Sequence, residues 1–331
     1  MSNQEKIKII FAGTPNFAIP SFQALLGDKD FEILAAITQP DKKVGRKQIL
    51  SPAPVKIEAE KNGTTVWQPE KIKECEEKII KAKPDLGVVI AYGQIIPQNI
   101  LDIPRYGWVN IHGSLLPKYR GAACIQAAIL AGDKETGITI MKIDKGLDTG
   151  QILKQTKIEI NSEDTTEILY NKLAKLGAEI IADTLKNYIA GEIKPKDQDN
   201  SQSSYAPTLK KEDGKINWQK PAEEIERMVR AFTPWPGTWA EIKNNHRPGG
   251  TPPIINKIKW QGKLKIKNTD SKILLINKYK PGEIFLHDNQ LAVQCGQNAL
   301  IIKNLQLEGK KETSAEEFLR GHKNIVGQTL N

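Results

Sequence analysis

Lys6-Ile7-Lys8-Ile9-Ile10-Phe11-Ala12 is a nearly unbroken apolar run that stops at Gly13. It has the length of a strand, and its continuous apolar half calls for cover on both faces. Ala18 to Leu26 predicts a helix and Phe31 to Thr38 a second strand. A charged helix near Glu70 to Lys83 precedes a third strand, Leu86-Gly87-Val88-Val89-Ile90-Ala91. Trp108-Val109-Asn110-Ile111-His112 is a further strand, broken by Gly113-Ser114-Leu115-Leu116-Pro117. Apolar strands alternating with helices predict an α/β fold with a doubly wound, mainly parallel sheet. Ligands in such sheets bind beyond the carboxyl ends of the strands, so Gly13, Tyr92-Gly93 and His112-Gly113 are expected to converge. The first turn, Gly13-Thr14-Pro15-Asn16-Phe17-Ala18, has one glycine where a dinucleotide fingerprint needs several, which argues against a nicotinamide-dependent dehydrogenase.

At 331 residues the chain is long enough for two domains. Asp164-Thr165-Thr166-Glu167 resembles a capping box opening a helix to about Ala190, with Ile168, Leu169, Leu173, Leu176, Ile180 and Ile181 as its core stripe. Lys194 to Ser204 is rich in polar residues and reads as an exposed linker. A short helix follows from Pro221 to Phe232. Strand-like segments come after it at Ile254 to Trp260, Ile273 to Ile276, Leu291 to Gln294 and Ala299 to Ile302. Short strands with turns between them predict a small barrel or sandwich, and an OB-like barrel fits the size. The expected division is 1–203 for a catalytic domain and 204–331 for a second, basic domain. Residues 1–206 carry a net charge of +1 and residues 207–331 carry +8 of the total +9. That asymmetry points to a polyanionic partner or to plain solubilising charge.

Asn110 and His112 alternate onto one face of their strand, about 7 Å apart. Asp148 lies in Asp144-Lys145-Gly146-Leu147-Asp148-Thr149-Gly150, just past another apolar strand. An amide donor, an imidazole and an orienting carboxylate are what acyl transfer to an amine requires. An imidazole that titrates near neutrality makes His112 the candidate base and Asn110 the candidate oxyanion donor, while Asp148 either orients His112 or orders a water. Ser114 invites a serine-hydrolase reading, but no Gly-x-Ser-x-Gly elbow is present. Cys75, Cys124 and Cys295 are scattered, and neither they nor His246, His287 and His322 show metal-ligand spacing, so no metal is expected. No apolar run approaches the roughly 20 residues of a membrane span, and the first residues lack a signal-peptide core. A cytoplasmic, monomeric protein without membrane contact is expected.

Asn110-x-His112, Ser114-Leu115-Leu116-Pro117 and Asp144-x-Gly146-x-Asp148-x-Gly150 closely resemble the folate-dependent formyltransferases. Several further stretches resemble the tRNA-formylating branch of that family. They include Phe11-Ala12-Gly13-Thr14-Pro15, Thr38-Gln39-Pro40-Asp41, Tyr119-Arg120-Gly121-Ala122-Ala123 and Pro234-Trp235-Pro236-Gly237. The resemblance covers nearly the whole chain. It departs at Cys124, where the family usually has proline, at a shortened basic loop after Asp41, and at an unfamiliar loop from Asn244 to Pro253. It implies a Rossmann-like catalytic domain and transfer of the formyl group of 10-formyltetrahydrofolate to the α-amino group of methionyl initiator tRNA, as used in bacterial translation initiation. It implies catalysis by Asn110, His112 and Asp148. Formyl-folate contacts are implied at Ala91, Tyr92, Gly93, Ser114, Leu115, Leu116, Pro117, Asp144 and Gly146. Transfer-RNA contacts are implied at Lys42, Lys43, Arg46, Lys47, Lys210 and Lys211. The alternatives are a formyltransferase acting on a small amine and a catalytically silent RNA-binding protein.

Overall fold

The computed structural model describes residues 5–45, 48–242, 256–260, 265–266, 279–307 and 310–331. The expected strand Ile273 to Ile276 and the loop Asn244 to Pro253 lie outside these residues. The chain divides into two compact units. The first comprises Met1–Cys124, Glu135–Glu159 and Leu169–Pro207; the second comprises Ile125–Lys134, Ile160–Ile168 and Thr208–Asn331.

In chain order the elements begin β1 (Ile7–Gly13), α1 (Ile19–Gly27), β2 (Phe31–Ile37), β3 (Lys42–Val44), β4 (Ile49–Ser51), α2 (Pro54–Lys61) and β5 (Val66–Trp67). They continue with α3 (Glu76–Ala82), β6 (Leu86–Ile90), α4 (Gln98–Leu101), β7 (Trp108–His112), α5 (Cys124–Ala131), β8 (Glu135–Lys142), β9 (Ile152–Glu159) and α6 (Thr166–Ile189). The sheet of the first unit has the order β5-β2-β1-β6-β7-β8-β9. It is parallel from β5 to β7, and β8 and β9 run antiparallel at one edge. From β1 the chain winds outward through β2 to β5, then returns to lay β6 on the other side of β1. The loops after β1 and β6 therefore part at a topological switch point, the usual place for a ligand crevice.

The central strands are dry. Ile9, Ile10, Phe11 and Ala12 of β1 are fully buried. Trp108 of β7 pairs with Gly87 of β6, and a Cβ on Gly87 would sit 2.1 Å from the indole. The indole nitrogen donates to the Ile100 carbonyl at 2.9 Å. A side chain of this size contributes about 1.5–3 kcal/mol by full burial, so Trp108 fixes the packing beside the polar end of β7. On α6, Leu169, Leu173 and Ile181 are buried as the stripe requires, whereas Ile168 is 41% exposed. The expected helix near Glu70 to Lys83 is a 3-10 turn, Ile72–Cys75, followed by α3. Thr165, rather than Asp164, presents the cap: its Oγ1 accepts from the Ile168 N–H at 3.4 Å.

The second unit holds α7 (Ala222–Ala231), β10 (Thr238–Ile242), β11 (Asn256–Trp260), β12 (Lys265–Ile266), β13 (Ile284–His287), β14 (Gln290–Gln294), β15 (Ala299–Ile301), β16 (Asn304–Leu307), β17 (Glu312–Ser314) and α8 (Ala315–Gly321). Its strands form antiparallel sheets of order β10-β11-β16-β17 and β12-β15-β14-β13. Ala240, Leu305, Val293 and Leu300 from these sheets share one core with Ile225 and Val229 of α7 and Phe318 of α8. This is a small barrel-like β domain, as the pattern of short strands predicted.

Candidate active site

β7 carries Asn110 and His112 to the carboxyl edge of the sheet. Asn110 lies opposite Met141 and His112 opposite Thr139 on β8. The Asn110 side chain is half-buried. Beyond β7 the chain turns tightly. Ser114 Oγ donates to the Lys118 carbonyl at 2.7 Å, and Thr139 Oγ1 donates to the Ser114 carbonyl at 2.6 Å and accepts from the Leu116 N–H at 3.1 Å. Ser114 is fully buried, and its hydroxyl is spent on the turn rather than offered as a nucleophile.

The turn delivers Tyr119 over the imidazole. His112 Nε2 lies 3.0 Å from the Tyr119 carbonyl, and Nδ1 lies 3.6 Å from Asp148 Oδ2. A carbonyl can only accept, so Nε2 carries a proton. Neutral His112 would then point the Nδ1 lone pair at a carboxylate, whereas the cation points an N–H at it. Burial opposes the charged ring and is the largest single influence. The Cys124 sulfur, the Asp148 charge and the Tyr119 carbonyl together outweigh it and lift the His112 pKa to about 9. The expectation of titration near neutrality is thereby corrected, because an imidazole in water has none of these partners. At 3.6 Å the Asp148 contact is an ion pair rather than a hydrogen bond. Asp148 Oδ2 accepts instead from the Gly121 N–H at 2.8 Å.

The remaining sequence-designated positions fall into two groups. Ala91, Tyr92 and Gly93 follow β6 at the switch point, with Ala91 and Gly93 exposed and both at positive φ. The Tyr92 carbonyl accepts from Thr14 Oγ1 at 3.3 Å and Gln39 Nε2 at 3.2 Å, so the loops after β1, β2 and β6 do meet. The Tyr92 ring is core: it is 1% exposed, its hydroxyl has no hydrogen-bond partner among the described residues, and burial pushes its pKa up. Leu116 is buried and Leu115 half-buried, and Leu116–Pro117 is a cis peptide. Asp144 Oδ1 accepts from the Gly146 N–H at 3.0 Å and from Thr149 Oγ1 at 2.6 Å, which shapes the loop carrying Asp148. Ile95, in the loop after β6, is 87% exposed.

Lys42 and Lys43 stand exposed on the β3–β4 hairpin; Arg46 and Lys47 lie outside the described residues. The base of the hairpin is clamped at Asp41, which accepts from Gln68 Nε2 at 2.8 Å and Lys56 Nζ at 2.9 Å. Those two hydrogen bonds hold the Asp41 carboxyl below the usual range. Lys210 and Lys211 are exposed at the start of the second unit.

Lys194 to Ser204, expected as an exposed linker, is mostly exposed as expected but is hydrogen-bonded to the first unit along its length. Lys196 and Ile152 exchange backbone hydrogen bonds of 2.7 and 2.9 Å, Arg120 N–H donates to the Ser204 carbonyl at 2.8 Å, and Tyr119 N–H donates to Ser204 Oγ at 2.9 Å. Gln198 lies within this strap. Polar side chains that satisfy one another have the same composition as polar side chains that satisfy water, so the pattern carried no signal. Cys124, marked in the sequence only as a departure, proves to be a neighbour of His112.

Asn110 and His112 on β7, with Asp148 in contact with the imidazole, stand at the carboxyl edge of a doubly wound sheet, the usual place for the ligand site of an α/β enzyme. The formyl transferase model matches residues 5–185, and the model of the formyl transferase C-terminal domain matches residues 208–323. Methionyl-tRNA formyltransferase from Citrifermentans bemidjiense is 40% identical over 334 residues, covering 98% of this chain and 96% of its own length. That from Caldanaerobacter subterraneus is 41% identical over 327 residues, covering 98% and 99%. Among solved structures, the sugar 3N-formyl transferase WlaRD, with dTDP and 5-N-formyl-THF, is 26% identical with a TM-score of 0.62, over 93% of this chain and all of that one. The chain belongs to the formyl transferase family and, within it, to the methionyl-tRNA formyltransferases; it is a one-carbon transferase. Among the described residues no helix is long and apolar enough to cross a membrane, and no cluster of side chains is arranged to hold a metal.

Proposed function

We propose that this chain transfers the formyl group of 10-formyltetrahydrofolate to the α-amino group of methionyl initiator tRNA, with Asn110, His112 and Asp148 as the catalytic residues. The observation that carries the reading is the coincidence of two facts. Similarity at about 40% identity to enzymes of that name runs over 98% of the chain, and His112 and Asp148 meet at one strand end although 36 positions apart in sequence. The first unit supplies the folate pocket, between Ala91-Tyr92-Gly93 after β6 and the segment from Ile143 to Asp148 after β8. The second unit and the β3–β4 hairpin supply the cations for tRNA, and Arg46 is the leading candidate for base or phosphate contact. The division of labour at 203/204 is part of this proposal.

The amine nitrogen attacks the formyl carbon, a C–N bond forms, and the carbonyl electron pair moves onto oxygen. The Asn110 amide donates to that oxyanion. The proton shed by the attacking nitrogen goes to Nδ1 of neutral His112, the atom whose lone pair the Nε2–Tyr119 hydrogen bond leaves free, and Asp148 stabilises the resulting cation. Collapse restores the C=O bond and breaks the bond from carbon to N10, and N10 leaves as an amine after taking the proton held on Nδ1 of His112, which returns the imidazole to its neutral form.

The test is formyl transfer from 10-formyltetrahydrofolate to methionylated initiator tRNA, free methionine and a dTDP-amino sugar. Turnover confined to the charged tRNA is expected. Equal rates on free methionine, or a preference for the sugar, would remove the tRNA assignment. Asn110→Ala should lower kcat by roughly 100-fold to 1,000-fold, the loss usual for one oxyanion donor, with little change in KM.

A further inference from the structure

Both ring nitrogens of His112 face groups on separate segments. Nε2 meets the carbonyl of Tyr119, in the turn after β7, and Nδ1 meets Asp148, in the turn after β8. Neither turn is relaxed on its own. Tyr119 has φ 61° and Asp148 φ 53°, left-handed conformations that cost a non-glycine residue on the order of 1 kcal/mol each. Gly150 approaches so closely that a Cβ there would lie 1.8 Å from the Lys142 carbonyl. Strained turns persist only where surrounding contacts over-determine them.

Two links join them: the Gly121 N–H donates to Asp148 Oδ2 at 2.8 Å, and the Gln198 side chain spans the backbones of both turns. Gln198 Nε2 donates to the Asp148 carbonyl at 2.9 Å and to the Gly150 carbonyl at 2.8 Å. Gln198 Oε1 accepts from Arg120 Nε at 3.2 Å and Nη2 at 2.8 Å. Arg120 follows Tyr119 directly, and its Nη2 also donates to Asn200 Oδ1 at 2.7 Å. Gln198 Nε2 also lies 3.8 Å from Met141 Sδ on β8, opposite Asn110, and its other partners fall on the two turns that bracket His112. A glutamine is required because the bridge needs two donors on one side and an acceptor on the other. Glutamate offers no donor and methionine offers neither.

We propose that Gln198 is a positioning residue for formyl transfer: by latching the Asp148 turn to the Tyr119–Arg120 turn it holds the carboxylate and the carbonyl on opposite sides of the His112 ring. The strap read as a linker is thereby part of the catalytic architecture. The inference rests on the proposed reaction for its kinetic consequence but not for its structural one.

Gln198→Met removes both halves of the latch. Gln198→Glu keeps the acceptor for Arg120 and loses both donations. Asn200→Ala removes the other partner of Arg120 and leaves the latch intact. With 10-formyltetrahydrofolate and methionyl-tRNA, both Gln198 variants should lose about 10-fold to 100-fold in kcat with KM nearly unchanged, the penalty of misplacing a catalytic group by a fraction of an ångström to one ångström. Asn200→Ala should stay close to wild type. Titration of the His112 imidazole by NMR in full-length protein supplies a readout independent of turnover. The groups facing that ring are Asp148, Cys124 and the Tyr119 carbonyl. Loosening the first and last in Gln198→Met should move the midpoint to lower pH. Wild-type kcat with an unmoved titration in Gln198→Met would overturn the proposal, even if the melting temperature falls. Should that variant not fold, wild-type kcat in Gln198→Glu would overturn it. A wild-type protein inert toward methionyl-tRNA would overturn the proposed reaction instead, and the titration would still decide the role of Gln198.

Discussion

His112 sets the pH behaviour of the site because its resting form is the cation. A base with a pKa of about 9 is neutral in roughly 1% of molecules at pH 7, and each pH unit multiplies that fraction tenfold until the pKa is passed. The rate of formyl transfer under kcat/KM conditions is therefore expected to rise through neutrality and level off near pH 9. Cys124 is one of the groups that lift the ring, and it stands at the first position of α5, where neither alanine nor proline disturbs a helix. Cys124→Ala should shift the rising limb to lower pH and raise activity at pH 7 relative to the plateau. A flat wild-type profile between pH 7 and 9 would rule out proton acceptance by His112. The same shift bears on stability. The folded pKa lies above the ordinary imidazole value of about 6.5, so the contribution of the pairing is complete below about pH 6.5 and is lost as pH rises through about 9.

At the level of elements, β6 and β7 depend on one close approach. The Trp108 ring lies across Gly87, and an added methyl would meet three ring atoms at 2.1–2.6 Å. The ring is rigid, 1% exposed and tied by its nitrogen to Ile100, so it cannot give way. Gly87→Ala should destabilise the protein by about 1–3 kcal/mol, read as a lower denaturation midpoint, and should cost activity through displacement of Asn110 two residues along the strand. An unchanged midpoint would show that β7 can slide on β6. These strands were legible in the sequence because buried parallel strands are written as short apolar runs ending in glycine, and Gly13, Gly93 and Gly113 mark the ends that converge. Asn110 and His112 stood out for a related reason: they are polar residues at the end of such a run. The antiparallel direction of β8 was not legible, since an apolar strand reads alike in either sense. Nor was the placement of Gln198, whose partners are two backbone carbonyls, a guanidinium and the Met141 sulfur, which no spacing rule connects.

For the whole molecule the distribution of charge matters more than its sum. Residues 207–331 carry +8, whereas residues 1–206, which hold Asn110, His112 and Asp148, carry +1 and expose Lys42 and Lys43 on a hairpin anchored at Asp41. Chemistry on a small amine needs no such excess; a polyphosphate backbone does, because every phosphate neutralised by lysine or arginine releases condensed counterions. If about four phosphates are engaged, tRNA affinity should fall by roughly 100-fold between 50 and 200 mM salt, with a slope near −3.6 on logarithmic axes. The KM for formyl-folate, a small anion held in a pocket, should move far less over the same range. Replacing Lys42 and Lys43 by glutamine should flatten the slope by about two contacts and leave kcat at saturating tRNA unchanged, since phosphate contacts position the nucleic acid without entering the reaction. Fluorescence titration of labelled initiator tRNA against salt measures the first quantity and steady-state kinetics the second. A slope indistinguishable from zero would mean that the basic surface does not face the substrate, and the positive charge of the second unit would then serve solubility alone.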